Sequence, residues 1–248
     1  MQFEYLEGLN EREVYFSLFY EKKDFLSDLE KLARKRKVPI IRKEMVQFLQ
    51  LLLQLQKPSR ILEIGTAIGY SALLMSQFLS ADGELYTIER NPVMWQEAKQ
   101  RMEEAKEYLQ QKREDRTHQA EHTENQSETR FEMQPEKIKI LIGDAGEILP
   151  ELEGSFDVIF LDSAKAQYIN FLPHILRLLK NGGMLITDNV LQNGEIMHSK
   201  HLLIRRERTT HRRMRQYLWA ISQEPTLSTR YFGLADGVTV SIKQEKEK

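Results

Sequence analysis

Residues 156–168 read FDVIFLDSAKAQY, and the stretch changes character in the middle. Phe156 to Leu161 is a run of six mostly apolar residues, the length of a strand covered on both faces. Asp162 follows at once, then two small residues, Lys165 and, three positions on, Tyr168. A carboxylate and an ammonium at the end of a core strand are costly to desolvate unless something there needs charge. The end of this strand therefore reads as a functional position, and Tyr168 as packing.

Working outward, four more short apolar runs appear: RILEIG (60–65), ELYTIE (84–89), KIKILIG (137–143) and GMLITDN (183–189). Helical stretches at 70–79, 92–109 and 166–180 lie between them. Buried strands alternating with helices predict an α/β, doubly wound, mostly parallel sheet of Rossmann-like type. LSTRYFGLADGVTVSIK (227–243) adds two strands around the hairpin turn Ala235-Asp236-Gly237, for seven in all. Upstream, Val14, Leu18, Phe25, Leu29 and Leu32 recur at helical spacing from Glu11 to about Lys35. A second helix is expected from about Arg42 to Leu55, between Pro39 and Pro58. Residues 1–57 are thus expected to form a helical extension packing on a core domain of 58–248.

The 248 residues contain 41% hydrophobic and 29% charged side chains, which suits a soluble globular chain. No cysteine is present, so disulfides, thiolate nucleophiles and cysteine-bound zinc are excluded. The N-terminus is acidic, without a basic region followed by an apolar core, and a cytoplasmic protein is expected. The net charge of -1 conceals two biased segments. KHLLIRRERTTHRRMR (200–215) sets seven basic residues against Glu207 alone, and a helix running to about Ser222 follows it. Residues 110–136 hold only Ala120, Phe131 and Met133 as apolar side chains, with four basic residues facing seven acids. Such a segment cannot bury a core face and reads as a solvated insertion, flexible or partly helical.

In a doubly wound sheet the ligand lies beyond the carboxyl ends of the strands, where strand order reverses. The strand ends here are acidic in turn: Glu63 before Gly65, then Glu89, Asp144 after Gly143, Asp162, and Asp188-Asn189. EIGTAIGYS (63–71) has glycines at 65 and 69 but not the G-x-G-x-x-G spacing, so no diphosphate cradle is spelled out. Glu89, 24 residues past Gly65, is placed to accept hydrogen bonds from a ribose diol. A nucleoside cofactor without a diphosphate follows, and S-adenosylmethionine fits. Asp144 would lie near its adenine and Glu63 near its amino-acid end, Glu63 having a second reading as a structural acid. Asp162, Asp188 and Asn189 offer three hard oxygen donors, a set suited to Mg²⁺, Mn²⁺ or Ca²⁺.

EIGTAIGYS, IER (88–90), GDA (143–145), LDSAKAQY (161–168) and TDN (187–189), in that order, resemble the cation-dependent catechol and caffeoyl-CoA O-methyltransferase family. The resemblance covers about 58–243, apart from the polar insertion. It implies S-adenosylmethionine held by Ile41, Glu63, Gly65, Tyr70, Ser71, Glu89, Asp144, Ala145 and Asp162. It further implies Mg²⁺ on Asp162, Asp188 and Asn189, Lys165 as general base for the substrate hydroxyl, and a homodimer.

The basic block falls between the metal-binding motif and the last two strands, which places it on the rim of the site. Arg205, Arg208, Arg212 and Arg215 have the spacing of one helix face, and with Arg206 and Arg213 they suit a phosphate backbone. RRERTTHRRMRQYL (205–218) is similar to bacterial tRNA 5-hydroxyuridine methyltransferases of the same family, which make 5-methoxyuridine at the wobble position. That base carries a hydroxyl beside a carbonyl, so two adjacent oxygens can chelate one metal as a catechol's do. The alternative substrate is a small catechol-like phenol, with the basic helix solvated or at a dimer contact. A nicotinamide oxidoreductase suffers from the missing glycine fingerprint, and a non-catalytic RNA-binding module leaves Asp162, Lys165, Asp188 and Asn189 unused.

Overall fold

A computed structural model describes residues 24–119, 131–199 and 203–245. The expected helical start at Glu11, the middle of the polar insertion and Lys200 lie outside them. Helix α1 (Phe25–Lys35) starts at a capping box, in which Ser27 N–H donates to Asp24 Oδ1 at 2.9 Å and Asp24 N–H donates to Ser27 Oγ at 3.0 Å. Helix α2 (Lys43–Gln56) ends at Lys57 in the left-handed region, φ 48°, directly before Pro58. Leu26 and Leu29 of α1 and Met45, Leu49 and Leu53 of α2 are buried in one cluster with Ile61, Ile68, Leu73 and Met102.

The strands are β1 (Arg60–Ile64), β2 (Glu84–Glu89), β3 (Ile138–Ile142), β4 (Phe156–Leu161), β5 (Leu179–Thr187), β6 (Leu227–Phe232) and β7 (Val238–Lys243). They form one sheet in the order β3-β2-β1-β4-β5-β7-β6. β1 to β5 are parallel, whereas β7 pairs antiparallel with both β5 and β6. Adjacent residues supply opposite layers, as the pleat requires: Ile61 faces the cluster with α1 and α2, and Leu62 the cluster on the other face. That second layer holds Phe171, Ile175 and Leu178 of helix α6 (Tyr168–Leu178) and Met214, Tyr217 and Ile221 of helix α7 (Arg208–Gln223).

Two expected boundaries need correction, and one element is new. Helix α4 (Pro92–Gln119) runs past the expected end near 109 and carries the first ten residues of the polar insertion, which was expected to be flexible or partly helical. Apolar content governs burial, but a solvated helix needs only compatible neighbours. Pairs such as Arg101–Glu104, Lys106–Glu103 and Gln110–Glu114 supply them. β5 starts at Leu179, earlier than 183, with a register shift against β4 at its entry. A short helix α5 (Ala145–Glu151) was not anticipated; Asp144 caps it, Oδ1 accepting from Gly146 N–H at 2.8 Å. Helix α3 (Tyr70–Ser76) follows β1 as expected. Among the described residues no helix is long and apolar enough to cross a membrane.

Candidate active site

Strand order reverses between β1 and β4, and a cavity of about 370 Å³ opens there, beyond the carboxyl ends of β1 to β4. Gly65 makes the approach possible. Its φ is +110°, and a Cβ there would lie 2.0 Å from the carbonyl oxygen of Asp162, so the β1 turn can sit against the β4 end only without a side chain. Gly69, φ +85°, begins α3 and abuts Ala98 of α4.

Of the residues expected around a cofactor, Ile41, Gly65, Tyr70, Ser71, Glu89, Asp144, Ala145 and Asp162 all line this cavity. Glu89 is aimed by two backbone amides: Ala67 N–H donates to Oε2 at 3.0 Å and Asn91 N–H to Oε1 at 2.8 Å. Asp144 keeps Oδ2 3.3 Å from Arg90 Nη1 while its other oxygen caps α5.

Glu63 departs from expectation. It is fully buried and does not line the cavity. Ser71 Oγ donates to its Oε1 and Thr87 Oγ1 to its Oε2, each at 2.5 Å. Thr87 has one hydroxyl proton, so Thr66 must donate in its 2.5 Å contact with Thr87. Burial pushes the Glu63 carboxyl up to about 7 against these hydroxyl bonds, which favour the charged form. Glu63 is thus the structural acid of its second reading, bonded to hydroxyls rather than backbone amides. The Ser71 hydroxyl is committed to it.

At the β4 and β5 ends the charged residues converge. Asp162 Oδ1 accepts from Lys165 Nζ at 2.8 Å and from Asn189 Nδ2 at 3.2 Å. Lys165 sits on a 3-10 turn (Lys165–Gln167) with Nζ 5.7 Å from the Tyr168 ring centre. Asp188 is buried, and its Oδ1 accepts from Asn189 N–H at 2.7 Å. Burial, and next the charge of Asp162, push its carboxyl up to about 7. Asn189 adopts φ 57°, a left-handed conformation that Asn tolerates better than most residues. Two carboxylates in a poorly solvated corner, with the Asn189 carboxamide bonded to one of them through Nδ2, offer hard oxygen donors that a divalent cation would neutralise. The residues fit Mg²⁺. Among the described residues no group of three or more His, Asp or Glu is gathered to hold a metal.

The basic segment reaches this corner. α7 packs on the turn carrying Lys165, and Arg213 Nη1 donates to the Ala166 carbonyl at 3.1 Å. Arg213 therefore anchors the helix, half-buried, instead of facing solvent. Arg205 and Arg206 precede α7 in an exposed turn. The exposed stripe along α7 is Arg208, Arg212 and Arg215, continued by Trp219, which is 68% exposed. It lies opposite the buried His211, Met214, Tyr217 and Ile221.

Sequence reasoning missed Pro39, Ile40, Thr66, Arg90, Ser163 and Phe171, which also line the cavity. Arg90 had a signal in its place directly after Glu89; Pro39 and Ile40 had none, because a linker's path over a cavity is a tertiary property.

The profile of the O-methyltransferase family matches residues 17–133 and 132–244. The catechol O-methyltransferase of Niastella koreensis is 30% identical over 155 residues, 61% of this chain and 58% of that protein, so the match spans under two thirds of that relative's length. A solved structure from Staphylococcus aureus, provisionally assigned as a caffeoyl-CoA O-methyltransferase, is 28% identical with a TM-score of 0.75. The match covers 94% of this chain and 100% of that one. The O-methyltransferase TomG of Streptomyces achromogenes, solved in complex with S-adenosylmethionine, shares the fold with a TM-score of 0.75 at 24% identity, covering 99% of this chain and 100% of that one.

Proposed function

This chain belongs to the O-methyltransferase family, and from that premise we propose that it transfers a methyl group from S-adenosylmethionine to the 5-hydroxyl of a wobble 5-hydroxyuridine in tRNA, with Mg²⁺. The observation that carries the reading is the convergence of Asp162, Lys165 and Asn189 at one end of a cavity whose other end holds Glu89 and Asp144. Bound there, S-adenosylmethionine supplies an electrophilic methyl carbon and a divalent cation supplies Lewis acidity toward the acceptor oxygen.

The chain's own residues do the rest. Glu89, held by the amides of Ala67 and Asn91, keeps lone pairs for a ribose diol. Asp162, Asp188 and Asn189 would hold the cation. Lys165, acting as the neutral amine after its ammonium proton has passed to solvent, would take the proton of the attacking hydroxyl, so that its oxygen could accept the methyl group as the thioether product leaves. Linker residues Pro39 to Ile41 wall one side of the cavity.

The arginine stripe supports a polyanionic substrate, since α7 rests on the turn bearing Lys165. An anticodon-loop base is already exposed, so little unstacking is required. A second reading, a small catechol-like phenol, is favoured by the catechol relative. A homodimer, testable by sedimentation, belongs to the proposal under either substrate.

The test uses tritium-labelled S-adenosylmethionine, Mg²⁺ and the purified protein. It is offered tRNA from a strain lacking 5-methoxyuridine and, separately, a catechol. Label in the tRNA, lost with EDTA, is the expected result. Label only in the catechol replaces the RNA reading with the phenol reading, and label in neither removes both.

A further inference from the structure

Two buried tyrosine hydroxyls lie beneath the proposed metal corner: that of Tyr168 meets the backbone beside its carboxylates, and that of Tyr217 meets the Thr187 side chain next to one of them. Tyr168 is fully buried, and its Oη accepts from the N–H of Ser163, the residue after Asp162, at 3.2 Å. The carbonyls of Leu161, Ser163 and Asp188 each lie 3.5 Å from the same oxygen. One proton serves three acceptors at the outer limit of hydrogen bonding, so the hydroxyl sits centred between the β4 and β5 ends. Tyr217, also fully buried, meets Tyr168 edge to face at 5.5 Å and 73°. Its hydroxyl lies 2.5 Å from Thr187 Oγ1, on the residue before Asp188. The pair thus grips the chain after Asp162 and on both sides of the Asp188 carboxylate.

These hydroxyls touch neither the cavity nor Lys165's nitrogen, so a part in the chemistry is not their use. Burying two phenols at this place is costly for packing alone, where phenylalanine would pack without the polar atom. We infer that Tyr168 and Tyr217 are positioning residues, a brace from α6 and α7 that holds the Asp162 and Asp188 strand ends at metal-binding separation. The inference rests on the metal reading proposed above. Removing a hydrogen-bond partner of the metal ligands themselves weakens metal affinity by about 10- to 100-fold, and a brace on the adjoining chain is expected at the lower end of that range. Tyr168 carries the larger share, since its hydroxyl meets the backbone at both strand ends.

The experiment measures Mn²⁺ affinity by electron paramagnetic resonance, and S-adenosylhomocysteine affinity by calorimetry, for the full chain and for Tyr168→Phe and Tyr217→Phe. Both variants keep the ring and its packing. Expected for Tyr168→Phe is a loss of Mn²⁺ affinity of at least about tenfold, with cofactor affinity within about twofold. Its methyl transfer should recover toward the unsubstituted rate as the cation concentration is raised. Tyr217→Phe should show a smaller loss of the same kind. Unchanged Mn²⁺ affinity in a folded Tyr168→Phe overturns the inference, as does a rate loss that no cation concentration restores. Should Tyr168→Phe not fold, Tyr217→Phe decides alone by the same two measurements. Failure of the unsubstituted chain to bind Mn²⁺ removes the metal reading itself, a distinct outcome.

Discussion

The ammonium of Lys165 lies 2.8 Å from Oδ1 of Asp162, and the same oxygen takes the Asn189 amide at 3.2 Å. The proposed base and a proposed metal ligand are therefore paired, and a cation drawing on Asp162 competes with that pair. Lys165→Met should lower kcat by about 100-fold, within the range for general acid–base residues. Cofactor affinity should hold within about twofold. A kcat loss under about tenfold in single-turnover kinetics would remove Lys165 from the role of base.

Asp188 predicts how the proposed cation would stabilise the fold. A ligand present at a hundred times its Kd stabilises the chain by about 2.7 kcal/mol. Saturating Mg²⁺ should raise the melting temperature by several degrees. Asp188→Asn should abolish that rise and the EDTA-sensitive activity together. Persistence of the rise in the variant would place the cation elsewhere.

Glu63 predicts a pH dependence. Its carboxyl rises from 4.5 to about 7 in the folded chain, so the native state holds this proton more tightly than the unfolded one. The associated stability is complete below about 4.5 and is lost as pH rises through about 7, a difference of order 3 kcal/mol. Glu63→Gln should flatten that slope in urea unfolding between pH 4.5 and 7, relative to the unsubstituted chain. Parallel curves for the two proteins would contradict the assignment.

The arginine stripe predicts a salt effect. The double variant Arg212→Ala, Arg215→Ala should weaken tRNA binding and reduce the dependence of log affinity on log salt by about 2. Methylation of a catechol and affinity for S-adenosylhomocysteine should not change. An unaltered salt slope would assign α7's outer face to something other than phosphate.

Gly65 predicts a loss that is steric. Alanine there would place its Cβ 2.0 Å from the Asp162 carbonyl at a backbone angle that side chains avoid. Gly65→Ala should bind S-adenosylhomocysteine at least about tenfold more weakly, through a displaced β4 end, a cost of roughly 1.4 kcal/mol or more. Normal affinity in calorimetry would show that the turn yields.

Much of the site was legible because it lies at strand ends, and strand ends are marked locally by the switch from apolar runs to Glu89, Asp144, Asp162 and Asp188. The partners of Glu63 were not legible. Ser71 and Thr87 are 8 and 24 residues away, and only the packing of α3 and β2 on β1 brings their hydroxyls to it. Arg213 falls in the same category. It is grouped with the basic block as a phosphate contact, but the helix turns it toward the Ala166 carbonyl.

By itself the sequence determined the alternation of buried strands and helices, the acidic strand ends and the missing diphosphate fingerprint. Each depends on neighbours within one or two turns of chain, where hydrophobic period and residue chemistry act directly. The tertiary structure decided which of those residues meet. It sank Glu63 beneath the cavity, brought Pro39 to Ile41 over the site and set Tyr168 and Tyr217 beneath it. Those outcomes depend on which layers pack together and which polar atoms lose water, contacts between residues far apart along the chain.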